Sequence, residues 1–121
     1  MSEWASTERF IELSGKASDG VWVAQFLDRN DTSPRYVDFT KSYKKRFGQE
    51  PGFAGLAGYD AGMVVIRALE NRKNGELLRD AIVRLKTFQG VQQEISIDRY
   101  GDANRRTFMA RIVDGHFKTI E

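Results

Sequence analysis

The order of the predicted elements constrains this chain more than any other feature. A candidate strand over Val21 to Leu27 is β-branched and aromatic, and Gly20 and Asp28 bound it. It is the one strand expected before three consecutive helices, and the other strands are expected after residue 90. The order therefore reads α-β-α-α-α-β-β-β. A complete doubly wound sheet alternates strands with helices throughout. The sequence thus predicts an α/β chain that holds only part of a larger sheet architecture.

Helix signals are clearest between residues 33 and 47. Ser33 can cap a helix, and Pro34 suits its first position. Gly48 is expected to end this helix, and Pro51 prevents its continuation. Four aromatic residues recur at helical spacing and are expected to form one buried face: Tyr36, Phe39, Tyr43 and Phe47. The other predicted helices are Trp4 to Leu13, Phe53 to Asn71 and Leu77 to Leu85.

Glycines recur at intervals of three and four around the start of the helix predicted from Phe53. They are Gly52, Gly55, Gly58 and Gly62. Each glycine within a helix costs about 1 kcal/mol relative to alanine, so close approach of another backbone is expected. The series does not match a phosphate-binding motif, because no predicted strand directly precedes it and Gly-x-Gly is absent.

After Gly90 the spacing of apolar residues changes from the helical period to alternation along the chain. Alternate residues from Val91 to Ile97 share one face of a predicted strand. Two further strands are predicted over Thr107 to Val113 and His116 to Ile120. Asp114-Gly115 between them is a strong signal for a two-residue hairpin.

Composition argues against several classes of function. The 121 residues suffice for one modest domain, predicted over residues 1 to 121. The net charge is +2, and Lys44 to Arg46 is the longest basic run, so no nucleic-acid partner is expected. The longest apolar stretch is too short to span a membrane, and the amino terminus carries no signal-peptide pattern.

No catalytic or metal-binding constellation is evident in the sequence. There is no cysteine, and His116 is the single histidine, so a zinc site is not expected. Asp98, Asp102 and Asn104 lack the ligand spacing of a calcium loop. No serine stands in a nucleophile motif. We therefore predict a chain that is not an enzyme and needs no metal or cofactor.

Six short motifs follow one another in a fixed order between Glu3 and Ile120. They are Gly15 to Val21; Pro34-Arg35-Tyr36 with Arg46 to Pro51; Tyr59-Asp60-Ala61; Leu78 to Ala81; Phe88 to Val91; and Asp98 to Asp102 with Asp114 to Phe117. In this order they resemble the last part of the leucine/isoleucine/valine-binding family of ABC-transporter solute-binding proteins. The resemblance covers nearly the whole chain but only the final portion of a family member.

The resemblance implies a partial type I periplasmic-binding-protein fold, with helices on a small sheet and a terminal β-hairpin. It implies a periplasmic receptor that binds an amino acid or similar small solute and delivers it to an ABC permease. In such receptors two lobes close on the ligand by a hinge. The connecting strands are expected to include Val21 to Leu27 and Gly90 to Ile97.

Three residues are candidates for ligand contact by the same resemblance. Glu3, before the first helix, resembles the carboxylate that binds the ligand's ammonium, which would be a strong charge-assisted contact. Its alternative is an exposed glutamate near the terminus. Phe53 falls close to a position that contacts the ligand side chain, or it packs at the start of its helix. Tyr59 could present its hydroxyl to the cleft, or it packs against Tyr43.

Other interpretations of the chain remain open at this stage. It could be a stand-alone interaction module, a truncated product without a ligand, or a ligand-sensing regulatory domain of the same fold. A chain with part of a larger sheet would expose an apolar face and bare strand edges, which invite association. We therefore expect a homodimer, and we expect the chain alone not to bind its solute tightly.

Overall fold

The structure, a computed structural model, describes residues 6 to 120. The predicted helix from Trp4 to Leu13 therefore begins outside the described residues. Its described part is α1, Glu8–Ser14, and a 3-10 helix, Gly15–Ser18, follows it. The remaining elements in chain order are β1 (Trp22–Gln25), α2 (Pro34–Phe47), α3 (Phe53–Glu70), α4 (Leu78–Leu85), β2 (Thr87–Gln89), β3 (Glu94–Ile97), β4 (Ala103–Asn104), β5 (Phe108–Val113) and β6 (His116–Thr119).

We call α1 and the sheet β1-β5-β6 the strand half. Its three strands are antiparallel, with Val23 opposite Ala110 and Ile112 opposite Phe117. The core of this half consists of those four buried residues, and Phe10, Ile11 and Val21 pack against it. Asp114 and Gly115 both have positive φ, 50° and 72°. They therefore form the predicted two-residue hairpin between β5 and β6.

We call α2, α3, α4 and the sheet β2-β3-β4 the helical half. Its sheet is also antiparallel, with Phe88 opposite Ile95. The buried core of this half is Ala68, Ala81, Phe88, Ile95 and Ile97. Helices α3 and α4 supply the first two, and strands β2 and β3 supply the others. The helical half is thus a layer of helices on a small sheet.

Helix α2 follows its sequence signals closely at both ends. The Ser33 side chain accepts a hydrogen bond from the Tyr36 N–H at 3.4 Å. Gly48 ends the helix in the left-handed conformation, at φ 74°. The predicted end signals are therefore confirmed.

The prediction that the four aromatic residues of α2 form a buried face is wrong. No residue of α2 is buried, and Phe47 is 56% exposed. Tyr36 and Phe39 are half-buried against Leu27, Leu56 and Val91. The face is covered by α3 along one side only. The rings of Tyr43 and Phe47 have centroids 4.5 Å apart and planes tilted by 47°, and Phe47 is the exposed one of the four aromatic residues.

Two of the four glycines in the series lie against side chains, and the other two have no close neighbour. A Cβ on Gly55 would lie 2.8 Å from the Tyr43 hydroxyl, and one on Gly52 would lie 2.6 Å from the Glu8 carboxylate. A Cβ on Gly58 or Gly62 would have nothing within 4 Å. The expected close backbone neighbour is therefore not found at these positions, and one face of α3 is open.

The strand predicted from Gly90 to Ile97 is in fact two elements. Only Glu94–Ile97 is strand, and it pairs with Thr87–Gln89, which the sequence analysis missed. Gly90 donates its N–H to the Gln93 carbonyl at 2.9 Å, so residues 90 to 93 form the connection of this hairpin. The pattern misled because β2 is only three residues long and directly follows a helix.

Candidate functional site

The chain passes between its two halves twice, and the candidate site lies where it does so. After β1 it leaves the strand half through residues 26 to 33 and enters α2. After β4 it returns through residues 105 to 107 and enters β5. Contrary to expectation, Gly90 to Ile97 does not connect the halves, because β2 and β3 belong to one sheet. Residues 90 to 93 lie against both connections. We call residues 26–28, 90–93 and 105–106 the crossing.

Phe53 lies at the edge of the crossing. It is the first residue of α3 and is 8% exposed. Its ring is 6.2 Å from that of Phe26, in the outgoing connection, with the ring planes tilted by 35°. Phe53 thus contacts the segment that joins the halves, which is where a ligand held between two lobes would lie. Packing at the helix start and a ligand contact are both compatible with this position.

Glu3 lies outside the described residues, and Ser6, three positions further along, is the first residue that the structure describes. Ser6 is fully buried, and its carbonyl accepts a hydrogen bond from Gln25 Nε2 at 3.2 Å. Gln25, at the end of β1, is itself fully buried. Its Oε1 has no hydrogen-bond partner among residues 6 to 120. The end of β1 therefore fixes the chain three residues beyond Glu3.

Tyr59 lies in a different place from Phe53. It is 49% exposed, and its ring packs against Phe39 at 4.9 Å, where the sequence analysis named Tyr43 as the alternative contact. Tyr59 lines an open groove of about 800 Å³ between α2, α3 and β2. Phe53 does not line this groove. The structure therefore separates two of the candidate contact residues.

Asp60 is a buried carboxylate that the sequence analysis did not assign. It is 2% exposed, and its Oδ1 accepts a hydrogen bond from the Val91 N–H at 2.9 Å. Arg105 Nη1 lies 3.4 Å from Oδ2. Burial raises the pKa of Asp60, and the Val91 hydrogen bond and the Arg105 charge oppose that effect only in part. In the sequence, Asp60 stands among the apolar residues of a predicted helix. That position was a signal that its carboxylate could be buried and hydrogen-bonded.

Two adjacent glutamines hold the backbone of the crossing. Gln92 accepts a hydrogen bond from the Asp28 N–H at 3.0 Å and donates one to the Asp28 carbonyl at 2.6 Å. Gln93 accepts from the Arg106 N–H at 2.6 Å and donates to the Arg106 carbonyl at 3.1 Å. Nothing in the sequence marked these two residues, because glutamine has no characteristic spacing for such a role.

Two further findings bear on the kind of site. Among residues 6 to 120, no cluster of three or more histidine, aspartate or glutamate residues is placed to hold a metal ion. Over the same residues, no helix combines the length and apolar character needed to cross a membrane.

Comparison with solved structures shows what this arrangement is similar to. A leucine-binding protein, LivK, from Thermotoga maritima matches 99% of this chain with a TM-score of 0.83 and 25% sequence identity. LivJ from Streptococcus pneumoniae, solved with isoleucine, matches 98% with a TM-score of 0.83 and 18% identity, which shows the fold. The chain has a partial type I periplasmic-binding-protein fold. The resemblance to leucine/isoleucine/valine-binding proteins inferred from the motifs is confirmed.

The match covers nearly all of this chain but only about a third of each related protein. The chain spans 35% of LivK and 36% of LivJ. A solute-binding protein from Rhodopseudomonas palustris, solved with 3,4-dihydroxybenzoic acid, matches 88% of this chain with a TM-score of 0.66 and 28% identity. This chain spans 31% of that protein. No family model and no curated protein matches the sequence.

Proposed function

We propose that this chain supplies about a third of an extracytoplasmic solute-binding protein that serves an ABC importer. Branched-chain or related amino acids are the proposed ligands, and the permease of the importer is the proposed partner. The match over 99% of the chain to a leucine-binding protein supports this most directly. The proposal contains no chemical step, so the chain is proposed not to be an enzyme. A periplasmic location follows from the same likeness.

The crossing is the proposed place of ligand contact. Two lobes that close on a solute bring their facing surfaces together beside the segments that join them. Phe53 lies there, against Phe26, and is proposed to contact the apolar side chain of the ligand. Glu3 is proposed to bind the ligand's ammonium by the resemblance, and Ser6, three positions further along, is held by Gln25.

Tyr59 remains a proposed contact on the groove side of α3. The groove that it lines reaches Gly90 and Val91 of the crossing but not Phe53. Tyr59 is therefore proposed to contact another part of the ligand, or another ligand, than Phe53 does. The amino acid class is favoured over aromatic acids by the LivK match in TM-score and coverage, although the aromatic-acid receptor has slightly higher identity.

The chain alone is proposed not to bind its solute tightly. A pocket normally buries most of a small ligand's surface, and the chain spans only about a third of the relatives that it matches. Isothermal calorimetry with leucine, isoleucine and valine tests this part. A micromolar dissociation constant for any of them would contradict it.

A chimera tests the function itself. The matching third of LivK would be replaced by this chain, and calorimetry would measure binding of leucine and of 3,4-dihydroxybenzoate. We expect leucine binding, weakened by about 1.5–3 kcal/mol in Glu3→Gln, the range for hydrogen bonds to charged groups. A folded chimera that binds only the aromatic acid would refute the amino acid class. Leucine binding that is equally tight in the Glu3→Gln chimera would refute the role of Glu3.

A second candidate function, association of the free chain with a copy of itself, rests on one face of α3. Gly58 and Gly62 are open on this face, and apolar side chains continue it. Val65, Ile66 and Leu69 are 39%, 48% and 50% exposed. An apolar patch of this kind is rarely left in water. We therefore propose a homodimer through this face.

The edge of β2, beside the groove that Tyr59 lines, offers a second surface for association. The Gly90 N–H and the Lys86 carbonyl bond inward to β3, so Thr87 and Gln89 direct their backbone groups outward. Both residues are exposed. Light scattering across concentrations tests the dimer, with Ile66→Lys expected to give a monomer. A monomer mass for the parent chain would assign the face to the rest of a longer polypeptide. A regulatory protein that senses the same solute would give the same binding and light-scattering results. It would differ from a transport receptor only in its partner protein.

A further inference from the structure

We propose that Gln92 and Gln93 are positioning residues that fix the orientation of the strand half relative to the helical half. The Gln92 amide pairs with the backbone of Asp28 in the outgoing segment, and the Gln93 amide pairs mainly with the backbone of Arg106 in the returning segment. The two residues lie in the bend between β2 and β3, and their side chains reach different segments of the chain. One short connection between β2 and β3 thereby holds both passages of the chain at once.

The geometry of each pair resembles a rung of a β-ladder. A side-chain amide has one acceptor and a donor group, as a peptide unit does. Gln92 accepts from the N–H of Asp28 and donates to its carbonyl, so Asp28 exchanges two hydrogen bonds with one side chain. Gln93 does the same with Arg106 and adds a longer bond, 3.4 Å, to the Phe26 carbonyl. A single contact would permit rotation about one bond, whereas two bonds per residue fix direction as well as distance.

We call the Gln92 and Gln93 contacts the clamp. The residues that follow Asp28 in the outgoing segment are also bonded to the strand half. The Arg29 N–H donates to Thr119 Oγ1 at 3.0 Å, and Asn30 Nδ2 donates to the Thr119 carbonyl at 3.1 Å. A continuous path therefore runs from the helical half through Gln92 and Asp28 to β6. Rotation of one half against the other would therefore be resisted by the glutamine pair and by the Thr119 bonds.

The helical half anchors the clamp through the residue that precedes it. The Val91 N–H is bonded to the buried carboxylate of Asp60 on α3, and Val91 packs with Leu27 and Leu56. Arg35 Nη1, on α2, donates to the Gly90 carbonyl at 3.1 Å. The connection that carries both glutamines is thus bonded to two helices, so it can serve as a reference for the crossing. This inference does not depend on which solute the chain binds.

Residue-specific hydrogen exchange tests the clamp in the chain as it exists. In Gln92→Ala the Asp28 amide loses its acceptor and should exchange about tenfold faster, while the Arg106 amide is unchanged. In Gln93→Ala the effects should be reversed, so each variant is the control for the other. Gln49→Ala changes an exposed glutamine outside the crossing and should alter neither amide. Equal rates for both amides in all variants would overturn the proposal.

Inter-half distances test the positioning role, which a merely local contact would not affect. The sequence has no cysteine, so spin labels at Lys118→Cys on β6 and Lys41→Cys on α2 need no other change. Labelled protein would be diluted with unlabelled protein to remove distances between copies. The double variant Gln92→Ala/Gln93→Ala should broaden the distance distribution, and Gln49→Ala should not. If the double variant does not fold, the two single variants decide. A distribution as narrow as that of the parent chain in folded variants refutes the positioning role.

Discussion

The two halves of this chain both have a buried core, but they differ in how much apolar helix surface they leave uncovered. In the strand half, Val23, Ala110 and Ile112 are fully buried between the sheet and α1. In the helical half, Val65, Ile66 and Leu69 are exposed along α3, and α2 has no buried residue at all. Both halves carry a three-stranded antiparallel sheet. The strand half also exposes single apolar residues, such as Leu13 at 72%, so the difference lies in the continuous open face of α3 and not in the sheets.

The helical half replaces part of the missing burial with charged contacts. The Asp60 carboxylate links α3 to Val91 and Arg105, and Glu76 pairs with Arg84 at 2.7 Å between the α3–α4 connection and α4. Among the described residues, the strand half has its ion pairs, such as Arg9 with Glu12, on exposed α1. Substitution of apolar residues should therefore cost much less on the open face of α3 than in the buried core of the strand half, and a change of pH should affect the helical half most.

The largest effect is expected from isoleucine truncation in the two halves. Ile112→Ala removes a fully buried side chain from the strand half and should lower the free energy of unfolding by about 2–5 kcal/mol. Ile66→Ala, the matched control, truncates a side chain that is 48% exposed and should change stability by about 0.5 kcal/mol or less. Urea unfolding of the monomeric chain measures both. Equal losses would mean that the α3 face is covered in solution.

The same melts test the prediction that residues 1 to 121 form one domain. A single cooperative transition by fluorescence and circular dichroism is expected. If Ile112→Ala produced two transitions, an early one for the strand half and a later one for the helical half, the two halves would unfold independently. The single-domain prediction would then be wrong.

Much of the local structure could be predicted because its signals are local. Ser33, Pro34 and Gly48 mark α2 by their own chemistry, and Asp114-Gly115 specifies its turn with two residues. The exposure of Phe47 could not be predicted, because helical spacing shows that aromatic residues share a face and not that another layer covers it.

The candidate site was predictable only in part, for a related reason. Phe53 and Tyr59 were assigned to one site by resemblance, although about 120° of helix rotation separates two positions six residues apart at ~100° per residue. The glutamine contacts join residues more than ten positions apart along the chain, such as Asp28 and Gln92. No local pattern records a contact between side-chain amides and distant backbone.

A smaller effect is expected from Asp60, with a defined dependence on pH. Asp60→Ala leaves the buried Val91 N–H without an acceptor and should cost about 1–3 kcal/mol. Asp60→Asn, the matched control, keeps an oxygen acceptor and should cost less. Urea unfolding at neutral pH compares the two variants with the parent chain. An equal cost for both would show that the charge, and not the Val91 hydrogen bond, is what matters.

Acidification should favour the parent chain over Asp60→Asn. Burial raises the pKa of Asp60 in the folded state, so the folded chain binds this proton more tightly than the unfolded chain does. The contribution of Asp60 to stability should therefore increase as pH falls through its folded pKa toward the ordinary aspartate range near ~4. Urea unfolding of both proteins at several pH values measures the difference. A difference that shifts toward Asp60→Asn at low pH would contradict the raised pKa.

The smallest effect is expected at Glu76, and it should have the opposite dependence on pH. Arg84 donates to both Glu76 oxygens, and the Lys73 N–H donates to Oε2 at 2.9 Å. These contacts hold the pKa of Glu76 at about 2, below its ordinary value of 4.5. A lowered pKa gives stability that is fully present above pH 4.5 and is lost as pH falls through about 2. The Lys73 amide should therefore exchange faster in Glu76→Gln than in the parent at neutral pH, and this ratio should fall toward one as the pH approaches 2. Glu70→Gln, which removes an exposed pairing with Arg67, is the matched control and should leave the Lys73 amide unchanged. If the ratio for Glu76→Gln does not change with pH, the Arg84 pair does not hold the α3–α4 connection, and the helical half does not depend on charged contacts in the way that its comparison with the strand half suggests.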